Sequence, residues 1–261
     1  EGRGDDLRYE IVPGQYWRQF RMPPTMEDQP YEPPFDDIRV RQAIVQSIDK
    51  QSILDFVYSG DGLITWGPIL PIYPPWALTE DEEPAGAKFD LDAAKALMEE
   101  AGNPTVKGPL MWATGSTEAD QIGEILKQQM DKIGVDAQLD PMEVASYYDK
   151  TYKYKYFMSH HVPLNNPDPD ENLSSYFGRN ARYYKHWNPD IFDIIDKQAE
   201  ELDPEARNVI VHDAQKMIIE DYPMKFMFTT NYHEFAAKRV KNWFWERDLY
   251  RNTLEGLWLD A

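Results

Sequence analysis

Residues 109–160 read "PLMWATGSTEADQIGEILKQQMDKIGVDAQLDPMEVASYYDKTYKYKYFMSH". The apolar pattern changes period along this stretch. Residues 109–114 form a short apolar run that suits a strand. Over 117–133, Ile122, Ile125, Leu126 and Ile133 recur at helical spacing, and Gly134 supplies a stop. A second strand is expected over 135–140, a helix over 143–152 and a third strand over 155–160. Strand, helix, strand, helix, strand predicts crossover connections on a parallel sheet, hence an α/β fold. Ligands on open sheets of this kind lie beyond the carboxyl ends of the strands. That places a candidate site at the loops 113–117 and 160–170.

Upstream, Asp36 or Asp37 is positioned to cap a helix that places Val40, Ile44, Ser47 and Ile48 on one face. Asp49 is positioned to cap a second, with Ile53, Leu54 and Val57 inward and Gly60 at its end. The loop "GDGLITWGPILPIYPPW" (60–76) follows, with Trp66, Tyr73 and Trp76 expected to be exposed, and Asp90 caps a short amphipathic helix that stops at Gly102. Downstream, Asn188–Pro189 and Asp203–Pro204 repeat one device, a capping side chain followed by a proline in the first helical turn. Strand-like runs follow at 225–230 and 233–240, then an aromatic tail. Residues 1–34 are rich in proline and aromatics, which predicts a lead-in strand and loop packing on something outside the chain.

The composition removes several function classes. The 261 residues are 42% apolar and 13% aromatic, enough for a packed core. Lys and Arg number 27 against 46 Asp and Glu, a net charge of −19, so nucleic acid and anionic lipid surfaces are repelled. The absence of cysteine excludes disulfides, thiol catalysis and Cys-ligated metals, and fits an oxidising compartment. No run is long and apolar enough for a spanning helix, and no signal peptide is expected in the stretch given.

Chemistry-bearing motifs are few. His160 and His161 are adjacent in an expected strand and therefore point to opposite faces, so no shared metal ion is expected, and no cofactor. "GDGLITWG" (60–67) follows a helix and opens none, which is the wrong context for a phosphate loop. No nucleophile-elbow pattern occurs. Trp112, Tyr147, Tyr148 and Trp66 are expected to gather as aromatic walls around the sheet's carboxyl edge. On the residues alone, a hydrolase or metal-dependent enzyme on this scaffold, using His160, His161 and Asp168, stays open beside a binding protein.

Four ordered blocks carry a resemblance: "PPFDDIRVRQAIVQSIDKQSIL" (33–54), "FDLDAAKALMEEAGN" (89–103), "NPDIFDIIDKQAEELDPEARNVIVHDAQKMIIEDYP" (188–223) and "EGLWLD" (255–260). Together they resemble the C-terminal half of the large solute-binding proteins of bacterial ABC importers, of the extracellular family 5 type that includes oligopeptide, dipeptide and nickel binders. The resemblance implies a periplasmic-binding-protein-like lobe with a mixed, largely parallel sheet flanked by helices. It divides the chain into a lead-in or hinge segment from a first lobe (1–34), a second α/β lobe (35–238) and a segment returning to the first lobe (239–261). It further implies a periplasmic or cell-surface receptor that captures a small solute, an oligopeptide, oligosaccharide or similar, between its two lobes for an ABC permease. In peptide-binding members a Trp and an Asp near this strand end hold the ligand's ammonium; Val162 and Asn165 stand at those places here. The resemblance therefore implies a neutral or weakly cationic solute. The ligand-binding residues expected are Trp66, Trp112, Thr114, Ser116, Tyr147, His160, His161, Asn165 and Asn166.

Overall fold

The computed structural model describes residues 7–242 and 256–260. Its centre is a six-stranded mixed sheet. The strands, in chain order, are β1 (Leu7–Arg21), β2 (Gly62–Ile64), β3 (Val106–Ala113), β4 (Val135–Met142), β5 (Met158–His161) and β6 (Met224–Ala237), and they lie side by side as β2-β6-β1-β5-β3-β4. Parallel pairing is confined to β4, β3 and β5, the unit that the 109–160 alternation predicts. The other half is antiparallel, because β1 pairs with both β5 and β6, and β2 with β6.

The helices start where the caps are written. Asp37 caps α1 (Ile38–Ser47), Asp49 caps α2 (Lys50–Tyr58), Asp90 caps α3 (Leu91–Glu100) and Ser116 caps α4 (Thr117–Asp131). Glu143 caps α5 (Val144–Tyr152) and Asp168 caps α6 (Pro169–Phe177). Asn188 and Asp203, each followed by proline, cap α7 (Pro189–Glu200) and α8 (Pro204–Glu220). Val40, Ile44, Ser47, Ile48, Ile53 and Leu54 are all buried, as their spacing predicts. Helix α4 packs on β3 and β4, and α2 packs on α4 and β6.

The lead-in departs from its expectation. Residues 16–22 do not need a surface outside the chain: Trp17, Phe20 and Met22 belong to the same core as Val40 and Ile44, and β1 lies between β5 and β6. The boundary at 34/35 therefore does not separate β1 from the sheet. Its one proline, Pro13, stands at a shift of register against β6, where the ladder does not need a proline N–H. The two runs expected at 225–230 and 233–240 are one strand, β6. The outer half of β1, residues 7–13, pairs with 231–237 of β6 and continues beyond the reach of β2 and β5 as a two-stranded ribbon. Leu7, Tyr9, Ile11 and Phe235 are exposed on it, and the rings of Tyr9 and Phe235 stack at 4.9 Å. Of the expected return segment, Val240–Lys241 (β7) and Trp258–Leu259 (β8) pair with each other, whereas 243–255 and 261 lie outside the described residues.

Candidate functional site

The end of β5 separates its two histidines. His160 faces α4: its ring stacks on Trp112 at 6.2 Å, and its Nε2 donates to the Ala119 carbonyl at 3.1 Å. It is buried, and the loss of solvent pushes its pKa down to about 4. His161 faces α5, where its Nδ1 lies 2.7 Å from the Tyr147 phenol oxygen and its ring stacks on Tyr147 at 5.7 Å. Its pKa is also held well below the ordinary value, first by burial and then by the positive charge of Arg21. The alternation expected of adjacent strand residues is thus realised.

The expected aromatic walls sort differently. Trp112 is buried under α4, its indole N–H donating to Asp120 at 2.7 Å and its ring resting where Gly123 leaves room. Trp66 follows β2, with β6 and β1 between it and β5, and its ring receives the buried Lys50 ammonium at 4.0 Å. Lys50 is in turn paired with Glu83 at 2.7 Å. Trp112 is thus part of the core, and Trp66 is partly buried against it. The loop expected to expose Tyr73 instead buries it, and Trp76 is partly covered by the Arg207 guanidinium at 5.4 Å. The aromatic surface beside His161 is made by α5: Tyr148 meets its ring edge-on at 6.2 Å and stacks on Tyr152 at 5.7 Å. Tyr148 and Tyr152 are 37% and 57% exposed. Their i, i+4 spacing is the signal in the sequence that would have found Tyr152.

Asn165 does not face the edge. Its Nδ2 donates to the Pro68 carbonyl at 2.7 Å, its Oδ1 accepts from Leu70 N–H at 3.3 Å, and its backbone N–H donates to Gln15 at 2.9 Å. Buried at 1% exposure, its amide is committed to holding the 68–70 loop against β1. Asn166 is half-buried, its backbone clasped by the Asn172 amide at 2.8 and 2.7 Å. Thr114 and Ser116 stand exposed on the turn after β3, where Ser116 caps α4. Asp168 caps α6 and pairs with Arg207 at 3.0 Å. His160, His161 and Asp168 therefore form no cluster, and among the described residues no group of three His, Asp or Glu could hold a metal ion.

Two residues that belong to no sequence motif stand behind His161. Ser159 is fully buried next to the Tyr147 hydroxyl at 3.0 Å. Arg21 is 1% exposed, donates to the Tyr183 carbonyl at 3.3 Å and lies over the rings of Tyr184 and Tyr176 at 5.7 and 6.0 Å. A cation buried among phenols and without a carboxylate partner among the described residues gives no pattern in a linear sequence.

The family profile for bacterial extracellular solute-binding proteins, family 5 middle, matches residues 3–184. The chain belongs to this family. It is 27% identical over 217 residues to a dipeptide-binding protein of Pseudomonas aeruginosa, covering 79% of this chain and 40% of that protein. It is 30% identical over 119 residues to heme-binding protein A of Haemophilus influenzae, covering 44% of this chain and 21% of that protein. The fold matches the oligopeptide-binding protein AppA of Bacillus subtilis, solved with a nonapeptide, at a TM-score of 0.81 and 18% identity, over 98% of this chain and 53% of that one. The chain thus spans about two fifths of the length of curated relatives such as the dipeptide-binding protein. A family of solute-binding proteins sets aside the hydrolase alternative.

Proposed function

We propose that this chain is the second lobe of an extracytoplasmic receptor for an ABC importer, binding a small polar solute without chemical turnover. The observation that carries the reading is the family match over 3–184, joined to a partly exposed polar and aromatic surface at the end of β5. In this reading the solute rests against His161, Tyr148 and the 114–116 turn, with Asn166 at the rim, and a first lobe closes over it by hinge motion. The ribbon of residues 7–13 and 231–237 supports a first lobe: its exposed stripe of Leu7, Tyr9, Ile11 and Phe235 is the apolar face such a lobe would cover. Closure is the state that a membrane permease reads. By analogy with the dipeptide-binding relative the solute is peptide-like, and an aromatic surface also suits the flat faces of an oligosaccharide.

The test is calorimetry of the full-length protein against dipeptide, oligopeptide and oligosaccharide panels, with mass spectrometry of each mixture. Stoichiometric binding with the solute recovered intact is expected. Conversion of a bound solute into product would overturn the reading.

A further inference from the structure

The hydrogen bonds at Tyr147 fix the proton on the His161 ring. The Tyr147 oxygen is within reach of three groups: the His161 Nδ1 at 2.7 Å, the Ser159 hydroxyl at 3.0 Å and the His160 carbonyl at 3.1 Å. A phenol has one proton to give and two lone pairs to receive. A carbonyl only accepts, so the contact with His160 requires the Tyr147 proton. The phenol oxygen then receives, one hydrogen bond from the Ser159 hydroxyl and one from the His161 Nδ1–H. All three contacts are made. In the reverse assignment the phenol donates to Nδ1, its oxygen faces the His160 carbonyl with no proton between them, and the single Ser159 proton serves either the phenol oxygen at 3.0 Å or the His160 carbonyl at 3.4 Å but not both. One buried hydrogen bond is lost, in a place where Tyr147 is 2% exposed and Ser159 is fully covered.

A neutral imidazole carrying its proton on Nδ1 has a bare lone pair on Nε2. Among the described residues Nε2 has no hydrogen-bond partner, and His161 is the last residue of β5, partly exposed beside Tyr148. We propose that Tyr147 and Ser159 are positioning residues that lock His161 as the Nδ1–H tautomer, so that Nε2 accepts a hydrogen bond from an N–H or O–H of the solute. Burial and the nearby Arg21 charge both oppose a second proton on the ring, which agrees with a neutral imidazole. The recognised end of the solute is therefore a donor, an amide, hydroxyl or ammonium, and not a carboxylate. This deepens the receptor reading and rests on it for the word solute. The tautomer rests on the geometry alone.

The experiment has two independent arms on the full-length protein. In the first, long-range proton–nitrogen correlation spectra of the nitrogen-15-labelled protein, with His161 assigned by its loss in His161→Gln, report which ring nitrogen is protonated. A protonated Nδ1 and bare Nε2 are expected at pH 7 and still at pH 6, and Tyr147→Phe should release the lock and mix the tautomers. A protonated Nε2 in the natural protein overturns the proposal, as does an unchanged spectrum in Tyr147→Phe. In the second, calorimetry with L-alanyl-L-alanine as probe should show His161→Leu binding about tenfold more weakly, the size of one lost hydrogen bond. Equal affinity of His161→Leu and the natural protein overturns the acceptor role. If no form binds the dipeptide, the peptide reading of the receptor fails, and the spectra still decide the tautomer.

Discussion

At the residue scale, neighbours in the chain carry unrelated duties. Asn165 and the His160 Nε2 look like site groups by position and are engaged by the scaffold, whereas the His161 Nε2 has no hydrogen-bond partner among the described residues. For Asn165 the consequence is a prediction about stability. In Asn165→Asp the donor to the Pro68 carbonyl is lost and a buried carboxylate faces a carbonyl oxygen 2.7 Å from the old nitrogen position. Leaving buried polar groups unpaired costs about 1–3 kcal/mol, and more for a charge. We expect a loss of about 3 kcal/mol in urea denaturation at pH 7; a variant of unchanged stability with enhanced peptide affinity would return Asn165 to the binding site. His160 gives a pH signature. Its folded pKa of about 4 lies below its ordinary 6.5, so between these values the unfolded chain binds a proton that the folded chain refuses. Stability from this residue is complete above pH 6.5 and is lost as pH falls toward 4, by about 3 kcal/mol in full. His160→Gln keeps an N–H for the Ala119 carbonyl and has no proton to gain. The stability gap between natural protein and variant should therefore shrink on acidification, and a pH-independent gap would refute the assignment.

At the element scale, helix starts were legible because a cap is local: Asp37, Asp49, Asp90, Asn188 and Asp203 each sit within three residues of the amides they accept from. The strands β3, β4 and β5 were legible in outline for a similar reason, each being separated from the next by one helix and a glycine or polar turn. What escaped was decided by distant partners. Nothing within 1–34 states that Trp17 will stack on Phe226 at 5.3 Å, or that Asn165 will be taken by residues 68–70. The site was legible as an edge and not as a set of side chains, since burial of Trp112 depends on which helix covers its strand. The fit of α4 on β3 is itself measurable. A Cβ on Gly123 would stand 2.7 Å from the Trp112 ring, closer than side-chain carbons pack. Alanine gains about 1 kcal/mol of helix propensity over glycine, while overpacking costs about 1–3 kcal/mol. Gly123→Ala is expected to lower the urea midpoint; a raised midpoint would show that α4 stands farther from the sheet.

At the scale of the whole molecule, the ribbon joins the lobe to whatever lies beyond it. If a first lobe covers Leu7, Tyr9, Ile11 and Phe235, then amide hydrogen exchange in 7–13 and 231–237 of the full-length protein should be slow, at rates comparable to those of β3. Exchange as fast as in exposed turns would leave the stripe without a partner. The placement of β1 beside β6 has a separate consequence, in time. The Thr229 hydroxyl donates to the Gly14 carbonyl across 215 residues of chain. On a ribosome, β1 emerges before β5 and β6 and waits unpaired until they have been made, while β3, α4 and β4 can close among themselves. Contacts of such long separation are late and slow to form. A nascent chain in this state has no finished sheet, the condition that suits passage through a membrane as an unfolded thread. Pulse-labelled exchange during refolding should show β3 and β4 protected before β1, so that a strand made earlier than either would find its place after both.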